Sequence, residues 1–382
     1  SKGDTVSGWL VSLLLLSLAI LSKQVAIMGF GLIFLFEWIL AGVKLRDWRL
    51  WARTILFGVP TAAYFLLRSL WITNQNPQDA LRIVDGFTYP YTMLDAHFFY
   101  YFRNFVWPFE MRALAKVEMI KSILEPTAIV GLIFIVSTLV IAWWFRKRKP
   151  LISFAILAYW LLFSLTSSVF PFRYVVTDYR QYLPIVFLSL IVSLACFSIR
   201  RKAVSIGLLS VMIFYFGISS YHINKYWKTE ESFWGQSVKY GAVALAHQNY
   251  GMAVLDKDPE LAEYHYREAI RQYPNHIYAN INLAMLEIRQ NKNEEGLQRL
   301  RRMVALNPQW ALPYYWLSVG LKSTGEKQGA AEFAVRAADL DPRSLRYQYA
   351  AARALHSSGK RAESIPYFER VVTINADYEL AG

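Results

Sequence analysis

The chain has 382 residues, of which 55% are hydrophobic, and a formal net charge of +13. A soluble protein of this length would need much of that apolar surface inside one core, whereas lipid accepts it directly. Many of the cations sit at the ends of apolar runs, where they set topology, so the basic balance does not point to nucleic acid. The one cysteine, Cys196, excludes an intrachain disulfide.

The opening Ser1-Lys2-Gly3-Asp4 carries no initiator methionine and reads as the middle of a longer protein. Apolar runs follow at 5–22 and 24–43, interrupted by the Ser22-Lys23 corner and by Glu37. Lys44, Arg46, Arg49 and Arg53 form a cationic loop before a third run at 54–70. Runs at 127–145 and 151–170 flank Arg146-Lys147-Arg148-Lys149, and further runs cover 182–199 and 203–221 around Arg200-Arg201-Lys202. Each run is near the ~20 residues that a helix needs to cross hydrocarbon. The expected fold is therefore all-α, with a polytopic transmembrane helical domain of about seven spans over 1–222. Cationic loops stay in the cytoplasm. This places the segments 72–126 and 171–181, and everything after 222, outside a membrane, with a bacterial inner membrane as the expected location.

Beyond a connecting segment at 223–242 the chain changes character. Pro274, Pro308 and Pro342 recur every 34 residues, and Ala376 takes the next step. Ala262, Gly296, Ala330 and Ser364 share one register, and Ala269, Met303, Ala337 and Val371 another. This is the pattern of a tetratricopeptide-repeat α-solenoid, in which small residues let paired helices approach. About four repeats fit 243–382, and the fourth leaves an outer face that prefers a cover, from more chain or from another protein.

Two outer loops are the places for chemistry. The first contains the aromatic run from Phe98 to Phe109, with Arg103 and Glu110. It reads either as an anchoring aromatic belt or as a surface-lying segment whose Arg103 grips a lipid-linked phosphate. Asp85, Asp95 and His97 lie in the same loop, where Asp95-Ala96-His97 offers two metal ligands, a weak set. In the second loop, Arg173 and Arg180 bracket Asp178, either as an interfacial salt bridge or as cations that neutralise a phosphate leaving group. Glu37 is expected to pair with Lys44 or Arg46.

Leu21-Ser22-Lys23-Gln24, the run Tyr101 to Phe109 and Asp178-Tyr179-Arg180-Gln181-Tyr182-Leu183-Pro184, followed by a last span and repeats, carry a resemblance. In this order they resemble the later part of the O-mannosyltransferase-like membrane proteins with transmembrane and tetratricopeptide regions, and their bacterial relatives. The resemblance implies a GT-C-type glycosyltransferase that passes a sugar from a polyprenyl-phosphate donor to a hydroxyl acceptor on the extracytoplasmic side. It implies donor-phosphate contacts at Lys23, Arg103, Arg173 and Arg180. The acidic residue that serves as base in that family has no counterpart at the Ser22-Lys23 corner, so catalytic residues stay unassigned. Any divalent metal would be held by residues outside this chain.

Two further readings stand beside the enzyme. One is a non-catalytic membrane-anchored scaffold whose repeats dock a protein assembly, and the other is a transporter. In either the enzyme or the scaffold, the repeats recruit a protein partner, with Trp310, Tyr314, Tyr315 and Trp316 as anchors.

Overall fold

A computed structural model describes residues 6–71, 87–110, 115, 117–164, 175–241 and 243–374. The chain forms two compact units, Ser1–Tyr226 and Trp227–Gly382. All described secondary structure is helical.

The first unit holds α1 (Val6–Ser22), α2 (Gly29–Leu35), α3 (Trp48–Trp71), α4 (Thr88–Ala96) and α5 (Arg103–Val106). It continues with α6 (Pro126–Phe145), α7 (Pro150–Ser164), α8 (Pro184–Phe197) and α9 (Lys202–Asn224). Among the described residues, three segments are long and apolar enough to cross a membrane: Trp48–Leu70, Pro126–Phe145 and Lys202–Trp227. This corrects the expectation of about seven spans. The other apolar helices, Gly8–Ser22, Val25–Leu40, Pro150–Ser164 and Pro184–Phe197, are shorter. At 1.5 Å per residue, the 14 residues of α8 reach only about 20 Å, against ~30 Å of hydrocarbon.

The reason is local. A run of apolar residues does not reveal where the helix inside it changes type. Residues 24–40 combine a 3-10 turn at Gln24–Met28, α2, and a π-helical turn at Phe36–Leu40. Pro150 and Pro184 open α7 and α8 and fix where each begins. The last part of the fifth run, 165–170, lies outside the described residues, as do Asp85, Arg173 and Ala376.

The core of this unit is aromatic. Tyr89, Met93, Tyr101 and Phe163 are fully buried, packed with Tyr159 and Val176. The segment Thr88–Val106 is thus a continuous helical stretch, α-helical, then π-helical over His97–Phe102, then α-helical again. It turns Tyr89, Tyr100 and Tyr101 into the protein. Gly131 on α6 makes this packing feasible, since a Cβ there would lie 1.9 Å from the Leu94 carbonyl oxygen. Glu37 meets Arg53, not Lys44 or Arg46, with Nη1 2.9 Å from Oε1. The chain turns at Gly42 (φ +71), and α3 then carries Arg53 back to the carboxylate.

The second unit starts with α10 (Glu230–Lys239), inside the segment that the sequence marks as a connection. A capping box between Thr229 and Ser232 starts this helix, and Gly235 lies against the Tyr250 ring. Four helix pairs follow: α11 (Ala244–Val254) with α12 (Pro259–Gln272), and α13 (Ile277–Arg289) with α14 (Asn293–Leu306). The others are α15 (Ala311–Ser323) with α16 (Lys327–Leu340), and α17 (Leu345–Ser357) with α18 (Arg361–Ile374). The small residues of the 34-residue period form the seams. Ala262, Ala330 and Ser364 are buried, and a Cβ on Gly296 would come within 2.7 Å of the Ala284 carbonyl oxygen. Ala269, Met303, Ala337 and Val371 are all fully buried as well.

Candidate functional site

In the first unit, the motif around Asp178 and the aromatic segment interlock. The Tyr100 hydroxyl and the Asn104 amide both donate to Asp178 Oδ1. The Gln181 amide donates to the Tyr101 carbonyl at 2.7 Å. Arg180 is 5% exposed and its Nη1 donates to the Val175 carbonyl at 2.7 Å. Arg103 pairs with Glu110, and the Lys23 ammonium lies 5.6 Å from the centre of the Tyr182 ring. The structure thus brings Asp178, Arg180 and Gln181 together with Tyr100 and Asn104, while Arg103 points to a separate carboxylate. Buried, partnered groups of this kind hold two segments in register.

His97 is buried edge-on against Trp160 and Phe163, with ring centres 5.0 Å away in both cases. Among the described residues, no three His, Cys, Asp or Glu side chains converge on a metal position.

In the second unit, the first helices of the last three repeats carry tyrosines, and two of these meet. Tyr278 on α13 is 42% exposed. Tyr315 on α15 contacts Tyr347 on α17, with ring centres 5.5 Å apart. Burial raises the pKa of the Tyr347 phenol, Arg346 lowers it, and Asp341, Tyr278 and Tyr315 raise it further. Of the other sequence-derived anchors, Trp310 and Trp316 are half-buried against the core of the middle repeats. The Tyr314 hydroxyl donates to the Pro308 carbonyl at 3.2 Å. Tyr278 and Tyr347 escaped the sequence reading because they take different positions within their repeats. Their shared signal is a tyrosine in the first turn of a first helix.

Two polar pairs sit in the repeat interior. His247 and His265 face each other with Nδ1 atoms 3.0 Å apart. Burial lowers the pKa of His265 to about 4, helped by His247 and opposed by Glu268. Glu268 itself is held down at about 2, chiefly by its hydrogen bond from Arg271. One repeat further on, Arg299 forks onto Glu287 through bonds of 3.0 and 2.8 Å.

One protein family matches the sequence, described as Tetratricopeptide repeat, over residues 253–318. The comparison with curated proteins gives no match. Among solved structures, the chain is similar to MamA 41-end from Desulfovibrio magneticus RS-1, with 18% identity and a TM-score of 0.35 over 44% of this chain and 96% of that one. It is similar to the MamA RS-1 ArsTM double mutant, with 17% identity and a TM-score of 0.34 over 40% of this chain and 88% of that one. It is also similar to YrrB, a TPR protein with an unusual peptide-binding site, with 18% identity and a TM-score of 0.32 over 40% of this chain and 79% of that one. Scores of this size carry no argument about function.

These findings overturn the resemblance to O-mannosyltransferase-like membrane proteins. The family found is the repeat itself, and the motifs that carried the resemblance are short. Arg103 and Arg180 are moreover engaged within the protein. The GT-C glycosyltransferase reading, with its lipid-linked sugar, is accordingly withdrawn, and the scaffold alternative fits the findings better.

Proposed function

We propose that the chain is a membrane-anchored scaffold. Residues 1–222 hold it in the bilayer, and the repeats of 243–382 dock a segment of a partner protein. The observation that carries this reading is the contact of Tyr315 with Tyr347 across two consecutive repeats, with Tyr278 of the preceding repeat exposed. Aromatic side chains supply large contact area at low entropic cost, and stacked repeats offer an extended surface to a peptide. The cations Arg200-Arg201-Lys202 at the start of α9 support a cytoplasmic start for the last span, and with it an extracytoplasmic side for the repeats.

A photo-crosslinker at position 278, in cells that express the full chain, tests the docking surface. A discrete protein adduct that disappears with Tyr315→Ala and Tyr347→Ala is the expected result. Failure to form any adduct, or one indifferent to both substitutions, refutes it. Impermeant thiol labelling of a cysteine at exposed Lys292 reads the side, and protection in intact cells contradicts the extracytoplasmic placement.

A further inference from the structure

The 20 residues of α6 cover about 30 Å, the thickness of the hydrocarbon layer, so each end of this helix falls at headgroup level. The two ends differ. At the first, Glu125 Oε1 accepts from the Lys121 and Ser122 amides. At the last, Trp143 and Trp144 are 57% and 60% exposed, and the turn Arg146-Lys147-Arg148-Lys149 follows. The Phe145 carbonyl accepts from both the Arg148 and the Lys149 amide, at 3.0 and 2.8 Å, which closes the turn. Its cations are thus crowded together, where they repel one another unless an anion joins them.

Indole faces hold two of these cations in place. The Arg146 guanidinium lies 3.6 Å from the centre of the Trp143 ring and donates to the Trp143 carbonyl at 2.7 Å. The Arg148 guanidinium is 5.4 Å from the centre of the Trp144 ring. A ring attracts a cation without cancelling its charge. Among the described residues, no carboxylate forms an ion pair with Arg146, Lys147, Arg148 or Lys149.

A second cationic turn reaches the same place. The Trp143 and Trp38 ring centres are 6.5 Å apart, and Phe34 continues the row to Trp51, with spacings of 6.0 and 5.3 Å. The Trp51 indole donates to the Leu45 carbonyl at 2.8 Å, which folds the segment carrying Lys44, Arg46 and Arg49 onto this row. All three cations are exposed, and no ion pair engages them among the described residues. Asp47 accepts from the Arg49 amide, and Arg53 is committed to Glu37. Two cationic turns far apart in the chain therefore flank one row of aromatic rings.

Guanidinium and ammonium groups without carboxylates, beside tryptophans at headgroup depth, are suited to lipid phosphates. A zwitterionic headgroup brings a cation of its own and is disfavoured. The exposed indoles adjoin Leu139 and Val140, also exposed on α6, and this apolar face suits acyl chains better than a carboxylate-rich protein segment. We infer that the turns at 44–49 and 146–149 form one binding surface for anionic phospholipids. The inference rests on the reading of 1–222 as a membrane anchor, but not on the tyrosine surface or on the side where the repeats lie.

The full chain is placed in nanodiscs of phosphatidylglycerol and phosphatidylcholine in equal parts, with matched acyl chains, and native mass spectrometry identifies the lipids it retains. Wild type is expected to retain phosphatidylglycerol in preference. Arg146→Gln with Arg148→Gln, or Lys44→Gln with Arg46→Gln, lowers that preference about fivefold or more. Lys44, Arg46 and Arg148 are exposed and Arg146 half-buried, so helical circular dichroism stays at the wild-type level. Arg336→Gln with Arg343→Gln removes the same charge from exposed positions of the second unit and leaves the preference unchanged.

An inserted chain with no preference for phosphatidylglycerol, or one indifferent to both pairs of substitutions, overturns the inference and leaves the proposed function standing. An equal loss from Arg336→Gln with Arg343→Gln reduces the effect to net charge and overturns it too. Binding of a polyglutamate peptide that is lost with Arg146→Gln and Arg148→Gln, without a lipid preference, assigns the surface to an acidic protein segment and refutes the lipid. A chain that does not stay with the nanodiscs refutes the membrane anchor and the inference together.

Discussion

The pair Glu287–Arg299 gives the sharpest test of how the repeats are held together. Glu287 lies between α13 and α14 with its side chain 5% exposed, and Arg299 covers it at 27%. Removing the guanidinium by Arg299→Ala leaves a carboxylate in a nearly closed site, which costs about 3–5 kcal/mol. The partial exposure of Arg299 admits some water, so the lower end, about 3 kcal/mol, is expected. For a unit of this size that lowers the melting temperature by about 6–12 °C. One period later the same two positions hold Leu321 and Phe333, both packed in the apolar core. The protein thus contains its own apolar replacement. Glu287→Leu with Arg299→Phe is expected to restore the wild-type melting temperature or exceed it, because the pair no longer has to be stripped of water. Far-UV circular dichroism melts of the full chain measure the stability, and amide hydrogen exchange across α13 and α14 reads the same loss locally. A single variant that melts with the wild type, or a double variant no better than the single, refutes the reasoning.

Four other outcomes follow from the geometry. His265 stays neutral in the fold down to about pH 4, whereas in the unfolded chain it takes up a proton below about 6.5. Stability therefore falls as the pH drops through that window, by at most about 3 kcal/mol. His265→Phe should flatten this dependence in melts recorded across the range. Gly131→Ala drives a methyl into the Leu94 carbonyl and should destabilise the first unit by about 1–3 kcal/mol or more. Gly58→Ala, with open space around it, should be neutral or stabilising by up to about 1 kcal/mol in the same melts. Asp258 caps α12 by accepting from the Leu261 amide at 2.9 Å, and Asp258→Ala should lose about 1 kcal/mol in denaturant titrations.

The repeat was legible because its signal is periodic and its cause is steric. Only small side chains fit where two helices touch, so Ala262, Gly296, Ala330 and Ser364 mark the seams in any reading of the chain. The membrane portion was harder to read. Hydropathy reports what a segment is made of and not where its helix breaks. The π-helical turn at Phe36–Leu40 and the start of α8 at Pro184 are breaks of that kind, and three helices of spanning length stand among the described residues against seven expected spans. The candidate arginines misled for a similar reason, since a cation in a loop looks free until its carboxylate or carbonyl is located. Arg103 finds Glu110 and Arg180 finds the Val175 carbonyl.

By itself, then, the sequence determined the helical repeat, its register and its seams, because these depend on residue size at fixed spacing. Tertiary structure decided which side chains share a surface. Tyr315 and Tyr347 lie far apart in the chain and occupy different repeat positions, and only the stacking of α15 and α17 brings them together.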